Sequence, residues 1–201
     1  MSSKPTPPKN SRPPARPRFQ KISEAMDRDV VDQAHEIYFN VIVAHGDGDE
    51  PWSPEQRSEL RRALSLLEPV ENAGELGPEG IQLMASLCLE LGNDEREEHL
   101  LRSGVDLYPA SSGLHADLGA AYANLSKWSP SVAHLSAAVL LAVDEADERW
   151  AMTVSQLVDA LVECGEEDRA HAIRQWALAH LKDDQARAWL EDDDSEDESA
   201  D

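Results

Sequence analysis

The chain has 201 residues, enough for one domain of ordinary size, and its formal net charge is −22. So acidic a surface repels nucleic acid and anionic membrane and attracts basic segments, so the expected partner is another protein. Apolar residues make up 41% and aromatics 5%, with Ala and Leu abundant, a balance that favours helix over sheet.

Charge and proline divide the chain into three. Residues 1–21 hold Lys4, Lys9, Arg12, Arg16, Arg18 and Lys21, no acid, and six of the twelve prolines. Such a stretch cannot build a core and reads as a disordered or polyproline-like basic tail. Residues 191–201 carry eight acids and no base, and read as a disordered acidic tail. A folded helical domain is expected over 22–190.

From Ser23 to about Ala44, Met26, Val30, Ala34, Ile37, Tyr38, Val41 and Ile42 recur at three- and four-residue steps, which marks one face of an amphipathic helix. Gly46 and Gly48 end it. The stretch His45-Gly46-Asp47-Gly48-Asp49-Glu50 lacks the later acidic positions of a calcium loop and reads as a polar turn. Ser53-Pro54-Glu55-Gln56 is a helix start with a capping box. That helix should turn Leu60, Ala63, Leu64 and Leu67 inward and stop before Pro69.

Further helices are expected near 78–91, 95–107, 112–125 and 130–142, the last capped by Ser129-Pro130. A third pair fits 146–164 and 167–181, divided by Gly165. A short helix near 184–190, with Trp189 and Leu190, would cover the end of the stack.

The stretch from Pro78 to Val143 repeats itself at a shift of 34 residues. Met84 falls on Leu118, Ala85 on Gly119, Cys88 on Tyr122, Gly92 on Ser126, Leu101 on Leu135, Gly104 on Ala138 and Pro109 on Val143. A fixed period of this length is the mark of stacked helical units. Matching Leu157 to Leu118 places the third unit after a step of 39 residues, so the joint between Val143 and Leu157 is where a bend or break is expected.

With small residues at set spacing, Gly at the turn and Pro after the second helix, these units resemble the tetratricopeptide repeat (TPR) family. Leu157, Leu161, Gly165, Ala170 and Ala177 supply the third unit. The departures are Glu97 and Ser131 where the family favours Ala, Val158 for a small residue, and Arg174 for an apolar one. The resemblance covers about residues 78–182. It implies an all-α, right-handed solenoid of stacked antiparallel helix pairs: three such units plus an N-terminal helix pair. It also implies that the first helix of each pair lines a concave groove. By position, the lining is Glu79, Gln82, Ser86 and Leu89, then Ala116, Ala120, Ala123 and Asn124, then Met152, Ser155, Asp159 and Val162. The three alanines would form a shallow apolar floor, with Glu79, Asp159, Glu90 and Glu163 at its edges. The Ser23–Ala44 helix is the alternative occupant of that groove.

No catalytic constellation is legible. None of the seven histidines belongs to a His-Glu-x-x-His pattern, and neither a phosphate-binding glycine loop nor a Gly-x-Ser-x-Gly elbow is present. His115 reads as a hydrogen-bonded packing residue and the five tryptophans as seals at helix joints. Cys88 and Cys164 lie in apolar helical patterns and read as reduced packing residues. No enzyme activity, cofactor or metal site is expected. The longest apolar run, Ala137 to Val143, is seven residues, which excludes a membrane-spanning helix. The expectation is a cytoplasmic, non-enzymatic adaptor or chaperone that holds a basic or amphipathic segment of another protein. Self-association is compatible with the same surface. The outline is also similar to that of type III secretion translocator chaperones, and a permanent structural subunit of a larger assembly is the remaining alternative.

Overall fold

The computed structural model describes residues 18–46, 50–144, 146–181, 187 and 190, with side chains from Arg28 onward. The described residues form eight helices and no strand: α1 Arg18–His45, α2 Pro54–Asn72, α3 Pro78–Glu90, α4 Asp94–Leu107, α5 Ser112–Asn124, α6 Trp128–Leu141, α7 Glu148–Glu163 and α8 Glu167–His180. Residues 1–17, Asp47 to Asp49, Trp189 and the acidic tail lie outside the described residues.

Local chemistry accounts for the helix ends. The Ser53 hydroxyl accepts from the Gln56 amide while the Gln56 side chain accepts from the Ser53 amide, completing the capping box of α2. Asn93, Ser111 and Asp147 cap α4, α5 and α7 in the simpler way, each accepting from an amide three residues on. The inner helices end alike. Gly92 (φ +74°) closes α3 and Gly165 (φ +73°) closes α7, each in the left-handed region where glycine carries no Cβ penalty. Ser126 closes α5 in the same conformation at φ +55°. The Asn93 amide donates to the Cys88 carbonyl and the Lys127 amide to the Tyr122 carbonyl, both at 2.8 Å, so the two turns are the same turn.

Three boundaries differ from the sequence reading. First, α1 begins at Arg18, inside the stretch expected to be a tail. Second, α2 runs through Pro69 to Asn72. An internal proline costs about 3 kcal/mol. Burial of Val70 in the core contributes about 1.5–3 kcal/mol. Arg96 of α4 donates to Glu68 and Glu71 and so holds the last turn of α2 from outside. Third, α6 starts at Trp128, with Lys127 at the cap position and no side-chain cap, so Ser129-Pro130 lies inside the helix.

Successive helices pack as antiparallel pairs, α1 with α2, α3 with α4, α5 with α6 and α7 with α8, and each pair stacks on the next. The odd helices also pack closely on one another, α1 with α3, α3 with α5 and α5 with α7, whereas the backbones of the even helices stay farther apart, α4 reaching α2 only through the long Arg96 side chain. Closer spacing along one row than along the other bends the stack toward the close row. The odd helices therefore line the concave side, and α1 takes the first place in that row; it lines the trough and does not fill it.

The longer step before α7 does not break the stack. Trp150 is buried, and its indole Nε1 donates to the Val139 carbonyl of α6 at 2.9 Å. Its ring also meets Trp176 of α8, with centroids 5.7 Å apart. The core forms two apolar clusters. One spans α1 to α5 around Leu60, Leu67, Met84, Leu101 and Leu118, and the other spans α6 to α8 around Leu135, Trp150, Leu157 and Leu161. Leu190 is fully buried in the second cluster, while most of the short helix expected near 184–190 lies outside the described residues. Cys88 is buried, and burial pushes its thiol up to about 11; Cys164, by contrast, is exposed just past α7 and is not the packing residue expected.

Candidate functional site

Pro78 at the first helical position starts α3, and the 34-residue shift sets α5 beside it in register. Across that step Gln82 Nε2 donates to Asp117 Oδ2 at 2.6 Å, and the Ser86 hydroxyl donates to the Gln82 carbonyl at 3.1 Å. A cavity of about 400 Å³ opens over these groups, lined by Asp32, His35 and Tyr38 of α1, Glu79, Gln82 and Ser86 of α3, Asp117 of α5 and Arg149 of α7. A second hollow shares Glu79, Gln82 and Arg149 and extends toward Gly113, Ala116, Asp147 and Thr153. The two form one trough across all four inner helices.

The trough is acidic with one cationic neighbour. Burial pushes the Asp117 carboxyl above the usual carboxylate range, and the Gln82 hydrogen bond and the Arg149 charge pull it partly back. Burial likewise raises Tyr38, with Glu90 adding to the effect.

The residues expected to line the groove divide by position. Glu79, Gln82, Ser86 and Ala116 line the trough. Ala120 and Ala123 are half-buried on the same helix as Ala116, and Leu89, Asn124 and Asp159 are exposed. Met152 and Val162 are exposed on α7. Ser155 does not offer a lining: it is 6% exposed, with Ala151, Val154 and Val158 of the same helix all buried around it, so it packs and presents no surface. Glu90 is not a free edge charge, since the Trp52 indole donates to its Oε2 at 3.1 Å.

Several groups in the trough were not in the sequence list. Asp32, His35 and Tyr38 were missed because the first pair stands outside the 34-residue frame. Asp117 sits one residue beyond the position the repeat assigns to the groove. Arg149 lies in the first turn of α7, before the part of the helix the repeat register could reach. Elsewhere, His115 Nδ1 lies 3.1 Å from His134 Nδ1 and its Nε2 is 3.2 Å from the Pro109 carbonyl, so His115 is hydrogen-bonded at a helix joint. Among the described residues no group of three or more His, Cys, Asp or Glu is placed to hold a metal ion, and no helix is long and apolar enough to cross a membrane.

No protein-family model matches the sequence, and no curated protein does. Solved structures do match the fold. A putative kinesin light chain of Podosopora anserina with nearly identical TPR-like repeats superposes with a TM-score of 0.60 at 15% identity, covering 83% of this chain and 82% of that one. TTC0263, a thermophilic TPR protein of Thermus thermophilus, gives 0.54 at 19% identity, covering 82% of this chain and 80% of that one. YrrB, a TPR protein with an unusual peptide-binding site, gives 0.53 at 12% identity, with 68% of each chain covered. At such identities the likeness is one of fold, and the fold is the helical solenoid of tetratricopeptide-repeat proteins.

Proposed function

We propose that the protein is a non-enzymatic adaptor that holds a segment of another protein against its concave face. The observation that carries this reading is the open trough across α1, α3, α5 and α7, lined by Asp32, Glu79 and Asp117 and floored by small side chains. An open trough of this charge suits a polypeptide with basic groups, and among the described residues its walls hold no nucleophile–base pair that would act on one. The same surface would serve a chaperone that shields a single client.

Ala120 is half-buried on α5, between Ala116 and Ala123, so an arginine there would stand in the trough without entering the core. Affinity capture from native extract, read by mass spectrometry, should recover a partner with the wild-type chain and lose it with Ala120→Arg, while the helical circular dichroism of the variant is unchanged. A partner retained at full yield by correctly folded Ala120→Arg protein would sink the reading.

A further inference from the structure

The first pair closes one end of the stack, and that end carries a groove separate from the concave trough. On α1, Val31, His35 and Tyr38 face the trough and α3. Gln33, Ile37, Val41 and Ala44 follow three- and four-residue steps along another side of the same helix, where no third helix packs. With α2 they bound a hollow of about 560 Å³. The Gln56 side chain lies 3.5 Å from His45 Nδ1, which sets the first turn of α2 beside the last turn of α1. The groove therefore runs along both helices, from Gln33 and Leu66 at one end to Ala44 and Glu55 at the other. The eleven residues from Gln33 to Ala44 make it about 16 Å long.

Its floor is apolar and its walls are acidic. Ile37, Val41 and Leu66 form the floor, with Glu36 on the α1 wall and Glu55 and Glu59 on the α2 wall. Arg62 bridges Glu59 at 3.0 Å, whereas Glu36 and Glu55 form no ion pair among the described residues. An apolar strip with two unmatched carboxylates at the end of a helical stack calls for a cover that brings cations. A second copy of this face would bring the same carboxylates on a chain of net charge −22, and repulsion disfavours it.

The chain carries a fitting cover ahead of α1, in Lys4-Pro5-Thr6-Pro7-Pro8-Lys9. Three prolines in four residues favour the polyproline helix, with three residues per turn and about 3.1 Å per residue. Pro5 and Pro8 then share one edge, and Lys4 and Lys9 project to its two sides. The five steps from Lys4 to Lys9 span about 15 Å, the length of the groove. The reach also agrees. From the start of α1 at Arg18, Glu36 is about 27 Å along the helix and Ala44 about 39 Å. The nine steps from Lys9 to Arg18 extend about 28 Å and the fourteen from Lys4 about 43 Å. So short a tether holds the segment at an effective concentration in the millimolar range, which populates even a weak contact.

We infer that residues 4–9 double back antiparallel to α1 and cover the α1–α2 groove, with Pro5 and Pro8 on Ile37, Val41 and Leu66, Lys9 at Glu36 and Lys4 at Glu55. The contact lies outside the concave face and does not depend on what that face binds.

Zero-length carbodiimide cross-linking of the full chain, read by peptide mass spectrometry, tests it, because it joins only lysines and carboxylates already in contact. Mixed light and heavy nitrogen-labelled protein separates links within a chain from links between chains. Lys4 and Lys9 should link to Glu55 and Glu36 within one chain, at least ~3-fold above their links to Glu95, an exposed control on α4. The yield should fall ~3-fold or more in 1 M salt, where the screening length is about 3 Å. It should fall as far in Pro5→Gly/Pro8→Gly, which keeps both lysines and loosens the ridge, while circular dichroism of the helical body stays unchanged. Links mainly to residues 191–201, to Asp32 and Glu79, or between light and heavy chains would each overturn the inference. So would a yield indifferent to the loss of Pro5 and Pro8, since charge alone would then hold the segment.

Discussion

The pairs α3–α4 and α5–α6 share one 34-residue frame and fill it differently. In the first, Ala85 stands on the inner helix and Gly104 on the outer; in the second, Gly119 is inner and Ala138 outer. The close helix crossing needs a very small residue on one side, and the frame is indifferent to which. The surroundings are not equal, however. A Cβ on Gly104 would meet Ile81 and Leu114 side chains at 3.0 and 3.2 Å, whereas one on Gly119 would meet Leu135 Cγ at 2.6 Å and its backbone nitrogen at 3.1 Å. The slot where the family favours alanine holds Glu97 in one unit and Ser131 in the other, both buried, and the Ser131 hydroxyl has no hydrogen-bond partner. The turn after the inner helix is closed by Gly92 in one and by Ser126 in the other. The lesson is that a repeat fixes volumes and backbone angles at each slot, and each unit meets or strains those demands separately.

The largest expected effect tests the buried charge. Burial, with Asp94 and Asp117 adding to it, pushes the Glu97 carboxyl up to about 7. The folded state thus holds its proton more tightly than the unfolded state does. Stability from this group is greatest below the unfolded carboxylate pKa, declines as pH rises through about 7, and is lowest above it. Glu97→Gln should therefore stabilise the protein by about 3 kcal/mol at pH 8 and by little at pH 4 in urea unfolding. A gain independent of pH would show that Glu97 is not held neutral.

Gly119→Ala should destabilise by about 2 kcal/mol, since the added methyl runs into side chain and backbone of Leu135 together. Gly104→Ala should change stability by less than about 1 kcal/mol, because its neighbours are methyl ends and alanine favours helix. Equal losses at the two sites would erase the distinction between the pairs. The turn should give a gain instead: Ser126→Gly removes a Cβ from the left-handed region and should raise stability by about 1 kcal/mol, read as a small rise in Tm.

The helices themselves were legible because each carries its own signal. The capping box at Ser53, the glycines after α3 and α7 and the three- and four-residue apolar spacing of α2 are local facts that need no partner. The end of α2 was not legible. Pro69 argues locally for a stop, and Val70 burial with the Arg96 bridge, made by residues 25 to 28 positions away, overrides it. The groove was legible as a surface and not as a composition. Ala116, Glu79 and Gln82 follow from the repeat register, but Asp117 enters through its bond to Gln82, and Tyr38 enters because α1 packs on α3. Ser155 occupies a lining position by register and is buried, together with Ala151, Val154 and Val158 of the same helix, so the register alone did not place its side chain.

By itself the sequence determined that the chain is helical, that two of its units repeat at 34 residues and that its surface is acidic, since helix period, turn residues and charge are properties of short stretches. Only the tertiary structure decided which polar groups share the trough, and which carboxyls burial raises, Asp117 in the trough and Glu97 in the core. Those depend on distances and desolvation between residues far apart in the chain, and neither exists until the pairs have stacked.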